Sequence, residues 1–213
     1  MPISQIKIDA IRLVGGVAVL DFLNSCNGRR PGTTLDEVVD SLLSLEDVVY
    51  WFHHAQVISS EELAQFLTLL PTWPSTHIHA FEQLISFREG LYQLFFPIAE
   101  GRRMTAASLQ FLNNALVDTA PQRQLASVGH AAVWSWRHCN SIDEMTASMI
   151  GRLTVQAASL LTSPDLARLK ICSTQACDWL FVDTSKNGRR RWCQMNICGS
   201  REKAKKALSV HDH

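Results

Sequence analysis

Four cysteines near the end of the 213-residue chain, Cys172, Cys177, Cys193 and Cys198, follow the spacing C-x4-C-x15-C-x4-C. Each close pair can set two thiolates on one side of a tight turn, and two such turns can close a tetrahedral S4 shell. Soft thiolate ligands of this kind select Zn2+. A shell of four protein ligands has no open position for water, so the expected ion is structural, one per chain. An iron–sulfur cluster also takes four thiolates, but the spacings differ from those usual in ferredoxins. Cys26 and Cys139 have no partner in sequence and read as small buried hydrophobes.

The charge pattern adds a second kind of chemistry beside the cysteines. The chain is formally neutral, with 20 Lys/Arg and 20 Asp/Glu. Residues 164–213 nevertheless hold ten basic and five acidic residues, a charge of +5, which leaves −5 on residues 1–163. Arg189, Arg190 and Arg191 precede the third cysteine. Arg201, Lys203, Lys205 and Lys206 follow the fourth, on a segment, SREKAKKAL, that reads as a helix. A zinc knot would hold both clusters together, where they can neutralise phosphates and where an arginine can fork onto a guanine edge. A solvated basic face is the plain alternative. Asp183 and Ser185 read as braces of the loop between the cysteine pairs, and Trp192 as a shield of the small core.

The letters around the cysteines carry a family resemblance. CSTQACDWLFVDTSKNGRRRWCQMNICGSREKAKKAL (172–208) resembles the CGNR zinc-finger family. The matching parts are Leu180-Phe181, Asp183, Ser185, Lys186 and Asn187, then Arg190-Arg191-Trp192-Cys193 with Met195, then Cys198-Gly199-Ser200-Arg201. Ser200 stands where the family has Asn; both residues cap a helix N-terminus, so the fold tolerates the exchange. Upstream, GGVAVLDFLNS and FREGLYQLF resemble recurrent elements of the ABATE domain. The resemblance implies a bacterial stress-response transcription regulator, with an N-terminal domain that senses and a C-terminal finger that binds DNA.

The elements that must position these residues are mostly helices. Leu13–Asn24 reads as two β-rich runs around Gly15-Gly16, the signal of a short hairpin, after which the chain can enter a helix. Thr34 and Glu37 have capping-box spacing, and apolar residues from Leu35 to Phe52 recur at three and four positions, a helical period broken near Ser44. SEELAQFLTLL (60–70), 79–100, 105–117 and 143–161 read as further helices, and VWSW (133–136) alternates as a strand does. The expected fold is mainly α with small β-hairpins: a helical N-terminal domain, 1–163, followed by a small zinc-stabilised module, 164–213.

Helix 79–100 carries Arg88 on its apolar stripe, between Leu84/Ile85 and Leu91/Tyr92. Asp21 lies in the apolar run VAVLDFL, with Asn24 three residues on. A guanidinium facing a core needs an acid or a ligand anion. Asp21, Asn24 and Arg88 are therefore expected to converge, either as a structural ion pair or as the polar wall of a pocket for a small-molecule or anionic ligand.

The sequence holds no P-loop, dinucleotide fingerprint, H-E-x-x-H or nucleophile–base motif, so an enzyme is not expected. The N-terminus has no apolar h-region and no run reaches the roughly 18 residues of a membrane span. A cytoplasmic protein without membrane contact follows, with DNA as the expected partner and a homodimer as a possible state. The alternative is a zinc-stabilised protein- or RNA-interaction module without sequence-specific DNA binding.

Overall fold

Side-chain caps set where four of the α-helices begin. In the computed structural model, which describes the backbone of residues 2–30, 34, 37–72 and 74–211 and the side chains of these except 72, 74, 75 and 206–211, Ser44 Oγ accepts from Asp47 N and opens α3 (Leu45–His54). Ser59 and Glu62 form a reciprocal capping box at α4 (Ser60–Leu69). Thr105 caps α6 (Ala106–Thr119) and Ser141 caps α7 (Ile142–Thr162). Each such cap contributes about 1 kcal/mol by satisfying an N–H that the helix leaves unpaired. The long α5 (Pro74–Ala99) supplies Leu84, Leu91 and Phe95 to the core, opposite Met145, Met149 and Leu153 of α7. Phe22, Trp51 and Phe52 meet ring to ring at 5.0–5.8 Å in the same core.

Two segments differ from the sequence expectation. The run around Gly15-Gly16 is not a hairpin: α1 (Ile3–Asp9) leads through the glycines into a short helix, α2 (Ala18–Leu23), buried from Val19 to Leu23. A Cβ on Gly15 would stand 2.8 Å from Leu20 Cβ, so the chain can fold back on the helix only with glycine there. Burial of all sides of α2 overrides the β-preference of its residues. The period from 35 to 52 is helical only from Leu45. Before it, β2 (Val39–Asp40) pairs antiparallel with β1 (Cys26–Asn27), Cys26 facing Asp40. The Thr34–Glu37 capping contact forms, with Glu37 Oε2 accepting from Thr34 N at 2.9 Å; Leu35 lies outside the described residues. The VWSW strand is present as β4 (Ala131–Trp136), paired with β3 (Arg123–Val128).

The C-terminal part begins with β5 (Leu169–Ile171), paired antiparallel with β6 (Leu180–Val182). A π-type turn, Met195–Gly199, then feeds α8 (Ser200–His211). Strand β6 is buried on both faces. Leu180 and Val182 belong to the main core with α2 and α5, whereas Phe181 packs with the cysteines. The strand alternation thus makes β6 a wall shared by two cores. Its free edge is closed by the N-terminal segment: the Asn24 amide donates to Leu180 O and accepts from Leu180 N, both at 2.8 Å, and Val182 N donates to Gly15 O at 2.9 Å.

Candidate metal centre

Cys172 and Cys177 flank a turn closed by Cys177 N donating to Thr174 O, whereas Cys193 precedes the π-type turn and Cys198 lies within it. The two turns face each other, and the four Sγ atoms lie within 4.8 Å of one another, all four residues buried. Cys177 and Cys193 sulfurs stand 3.7 Å apart, Cys193 and Cys198 sulfurs 3.6 Å. Sulfurs at the corners of a zinc tetrahedron with Zn–S of about 2.3 Å stand about 3.8 Å apart. The donor set and its size therefore fit a zinc ion. Contacts among the thiols push the Cys172 thiol down and hold those of Cys177 and Cys193 up, since close sulfurs cannot all ionise together. A divalent cation bound there would hold all four as thiolates, the form in which cysteine ligates a metal.

Three arginines and one lysine hold the polypeptide around the cluster. Arg30 donates Nε to Cys177 O at 2.9 Å and Nη2 to Cys172 O at 2.5 Å. On the other knuckle, Arg190 donates Nε to Trp192 O at 3.0 Å and Nη2 to Cys193 O, and its guanidinium lies 4.3 Å from the centre of the Phe181 ring. Arg29 donates its backbone N to Asp178 Oδ2 at 2.7 Å and Nη2 to Leu23 O at 2.6 Å, and stacks 3.7 Å above Tyr92. Asp183 is the brace expected from sequence: Oδ1 accepts from Ser185 N and Oγ, and Oδ2 from Lys170 Nζ and Arg190 N. Burial pushes its carboxyl up, but the Lys170 ammonium, the Ser185 hydroxyl and the backbone donors outweigh burial and hold it far below the usual carboxylate range. Trp192 packs against the cysteines, as the sequence suggested. Cys26 and Cys139 are buried single thiols.

The basic residues divide by orientation. Arg189, Arg191, Arg201, Lys203 and Lys205 are exposed. Arg190 is not available as a phosphate ligand, because its guanidinium is committed to main-chain carbonyls of the knuckle. The side chain of Lys206 lies outside the described ones.

Residues 16–164 match the model of a family, ABATE, described as "Putative stress-induced transcription regulator", and residues 168–208 match the CGNR zinc finger. The chain belongs to the ABATE family. No curated protein matches it. In this ABATE chain the finger is not a loosely tethered appendage. Arg30 and Asn24, both from the matched N-terminal region, bind its main chain directly, and Arg29 binds the carboxylate of its Asp178. Sequence reasoning missed Arg29 and Arg30, whose only signal was a pair of charges in the turn-rich NGRRPGTT.

The expected meeting of Asp21, Asn24 and Arg88 does not occur. Arg88 is buried, as predicted, but its partner is Asp40, not Asp21: Nη2 donates to Asp40 Oδ2 at 2.5 Å and Nη1 to Oδ1 at 2.9 Å. Nη1 also reaches Ser25 Oγ at 3.0 Å and Nε reaches Glu89. Burial works against the guanidinium's charge, and Asp40, with Glu89, more than offsets it. Asp21 instead accepts from Val14 N at 2.6 Å and Gly15 N at 2.7 Å, fixing the turn into α2. Arg88 thereby pins β2 to α5, which is a structural task. Of the three, only Asn24 lines the cleft between the helical body and the finger. Among the described residues no helix is long and apolar enough to cross a membrane.

Proposed function

We propose that this ABATE chain is a one-component transcription regulator that acts by binding and not by catalysis. One zinc ion per chain holds the finger, the finger binds duplex DNA, and the helical body senses a small ligand. The observation that carries this reading is the group of exposed cations, Arg189, Arg191, Arg201, Lys203 and Lys205, mounted on a buried four-cysteine cluster. A fixed array of this kind suits phosphate backbones, and a module of such small size gains affinity when two copies bind one site.

Fluorescence anisotropy of zinc-loaded protein on random and genomic duplexes at two salt concentrations tests the reading. Elemental analysis should give one zinc per chain. Replacing Arg189, Arg191 and Lys203 together by Gln should weaken binding to every sequence and flatten the salt slope by about 0.9 per lost phosphate contact. Arg190→Gln should instead disturb the finger itself. Equal binding to single-stranded RNA, or no DNA binding at low salt, would favour the interaction-module alternative.

A further inference from the structure

The helical body and the finger enclose a cleft of about 490 Å3. It is lined by the end of α1 and the segment after it, by residues of and around β1 and β2, and by the two cysteine knuckles and the start of α8. Its surface is mostly apolar, with Ile11, Trp179 and Ile197 among the lining side chains. Lys7, Arg12 and Arg201 also line it, and among the described residues no Asp or Glu does. Among the described residues only Lys7 of the three cations has an acidic partner, Asp47 at 3.1 Å. Arg12 touches the neutral Gln194 Oε1 at 3.3 Å, and the Arg201 guanidinium has no polar partner among the described residues. The volume falls within the range of small-molecule sites, and an apolar cavity with a few converging polar groups is the usual form of such a site.

We infer that this cleft binds an amphipathic organic anion, a carboxylate on an aromatic or aliphatic body, with the acid group between Arg12 and Arg201 and the apolar part against Trp179 and Ile197. Neither arginine has an acidic partner among the described residues, so an anion gains from both without displacing an ion pair seen there. The inference deepens the proposed function, since it assigns the sensing step to a place and a ligand class. Arg201 stands at the first turn of the basic helix α8, and a ligand that engages it withdraws it from phosphate. Occupancy of the cleft should therefore weaken DNA binding, and by linkage DNA should weaken the ligand by the same factor.

Equilibrium dialysis of the zinc-loaded full chain with 1-naphthoate, decanoate and the neutral 1-naphthylmethanol tests the assignment. At least one of the two carboxylates should bind saturably at one equivalent per chain, about tenfold or more tighter than the alcohol. Arg12→Gln should cut carboxylate binding about tenfold, about 1.4 kcal/mol, while zinc content and duplex binding stay unchanged. Ile197→Asp, which places a like charge in the cleft, should abolish it. Equal binding of acid and alcohol, an unchanged affinity in Arg12→Gln, or no saturable carboxylate binding would overturn the proposal. The two readings fail separately: the Arg189, Arg191 and Lys203 replacement should lose DNA and keep the carboxylate, and Arg12→Gln should do the reverse.

Discussion

The Nε of Arg30 lies 2.9 Å from the carbonyl oxygen of Cys177, 147 positions further along the chain. With Nη2 on Cys172 O, one guanidinium satisfies a carbonyl at each end of the first knuckle. The first cysteine turn is thus held from outside the finger, by a loop of the ABATE region.

Arg30→Gln removes two charge-assisted hydrogen bonds and leaves buried carbonyls short of a donor. The expected cost is about 2–3 kcal/mol. Zinc should pass to a competing chelator faster than from the wild type, and hydrogen exchange should quicken in residues 170–180. Arg30→Lys should recover only part of the loss, because an ammonium cannot fork between the two carbonyls. Unchanged chelation kinetics in Arg30→Gln would show that the contact does not support the knuckle.

Arg88→Met strands the Asp40 carboxylate against the core. Asp40 keeps 26% of its side chain exposed, so the penalty should sit near the low end for broken buried pairs, about 3 kcal/mol. A double-mutant cycle in urea should find coupling of about 1 kcal/mol or more between Arg88 and Asp40. The same cycle with Asp21 should find none. Coupling to Asp21 would contradict the separate roles assigned to the two carboxylates.

Burial pushes the Asp21 carboxyl up to about 6, against the N–H groups of Gly15 and Val14 and the nearby His54, which favour its charged form. An acid whose folded-state pKa lies above its unfolded value binds the proton more tightly when folded. Its contribution to stability therefore falls as pH rises through the interval from about 4 to about 6, and stays level above it. The full effect is roughly 3 kcal/mol for a shift of this size. Asp21→Asn keeps an oxygen to accept from both N–H groups and cannot ionise, so its stability relative to wild type should rise across that interval. Parallel stability curves from pH 4.5 to 7 would refute this.

The metal ligands were legible in the sequence because their chemistry depends on spacing along the chain, and the long helices because their apolar period repeats over many turns. Asp40 was not, since a two-residue strand has no period and its neighbours Val39 and Leu42 continue the helical pattern of Leu45–Phe52. Arg190 could not be told from Arg189 and Arg191: three adjacent letters are identical, and only the fold turns the middle one toward Trp192 O and Cys193 O. Arg30 was hidden for a different reason, because its partners are brought to it only by the closure of the whole chain.

The alternation along Leu180-Phe181-Val182 has a consequence for anyone who would treat the finger as an exchangeable cassette. A cut after Ser163 severs no helix, yet it would expose Leu180 and Val182 to water and deprive the Asn24 amide of both its bonds. A graft onto another scaffold would have to carry residues 14–30 with it, or supply a substitute lining for that strand. The smallest transplantable unit is therefore discontinuous in sequence, and exchanging fingers between relatives requires exchanging the matching N-terminal segment as well.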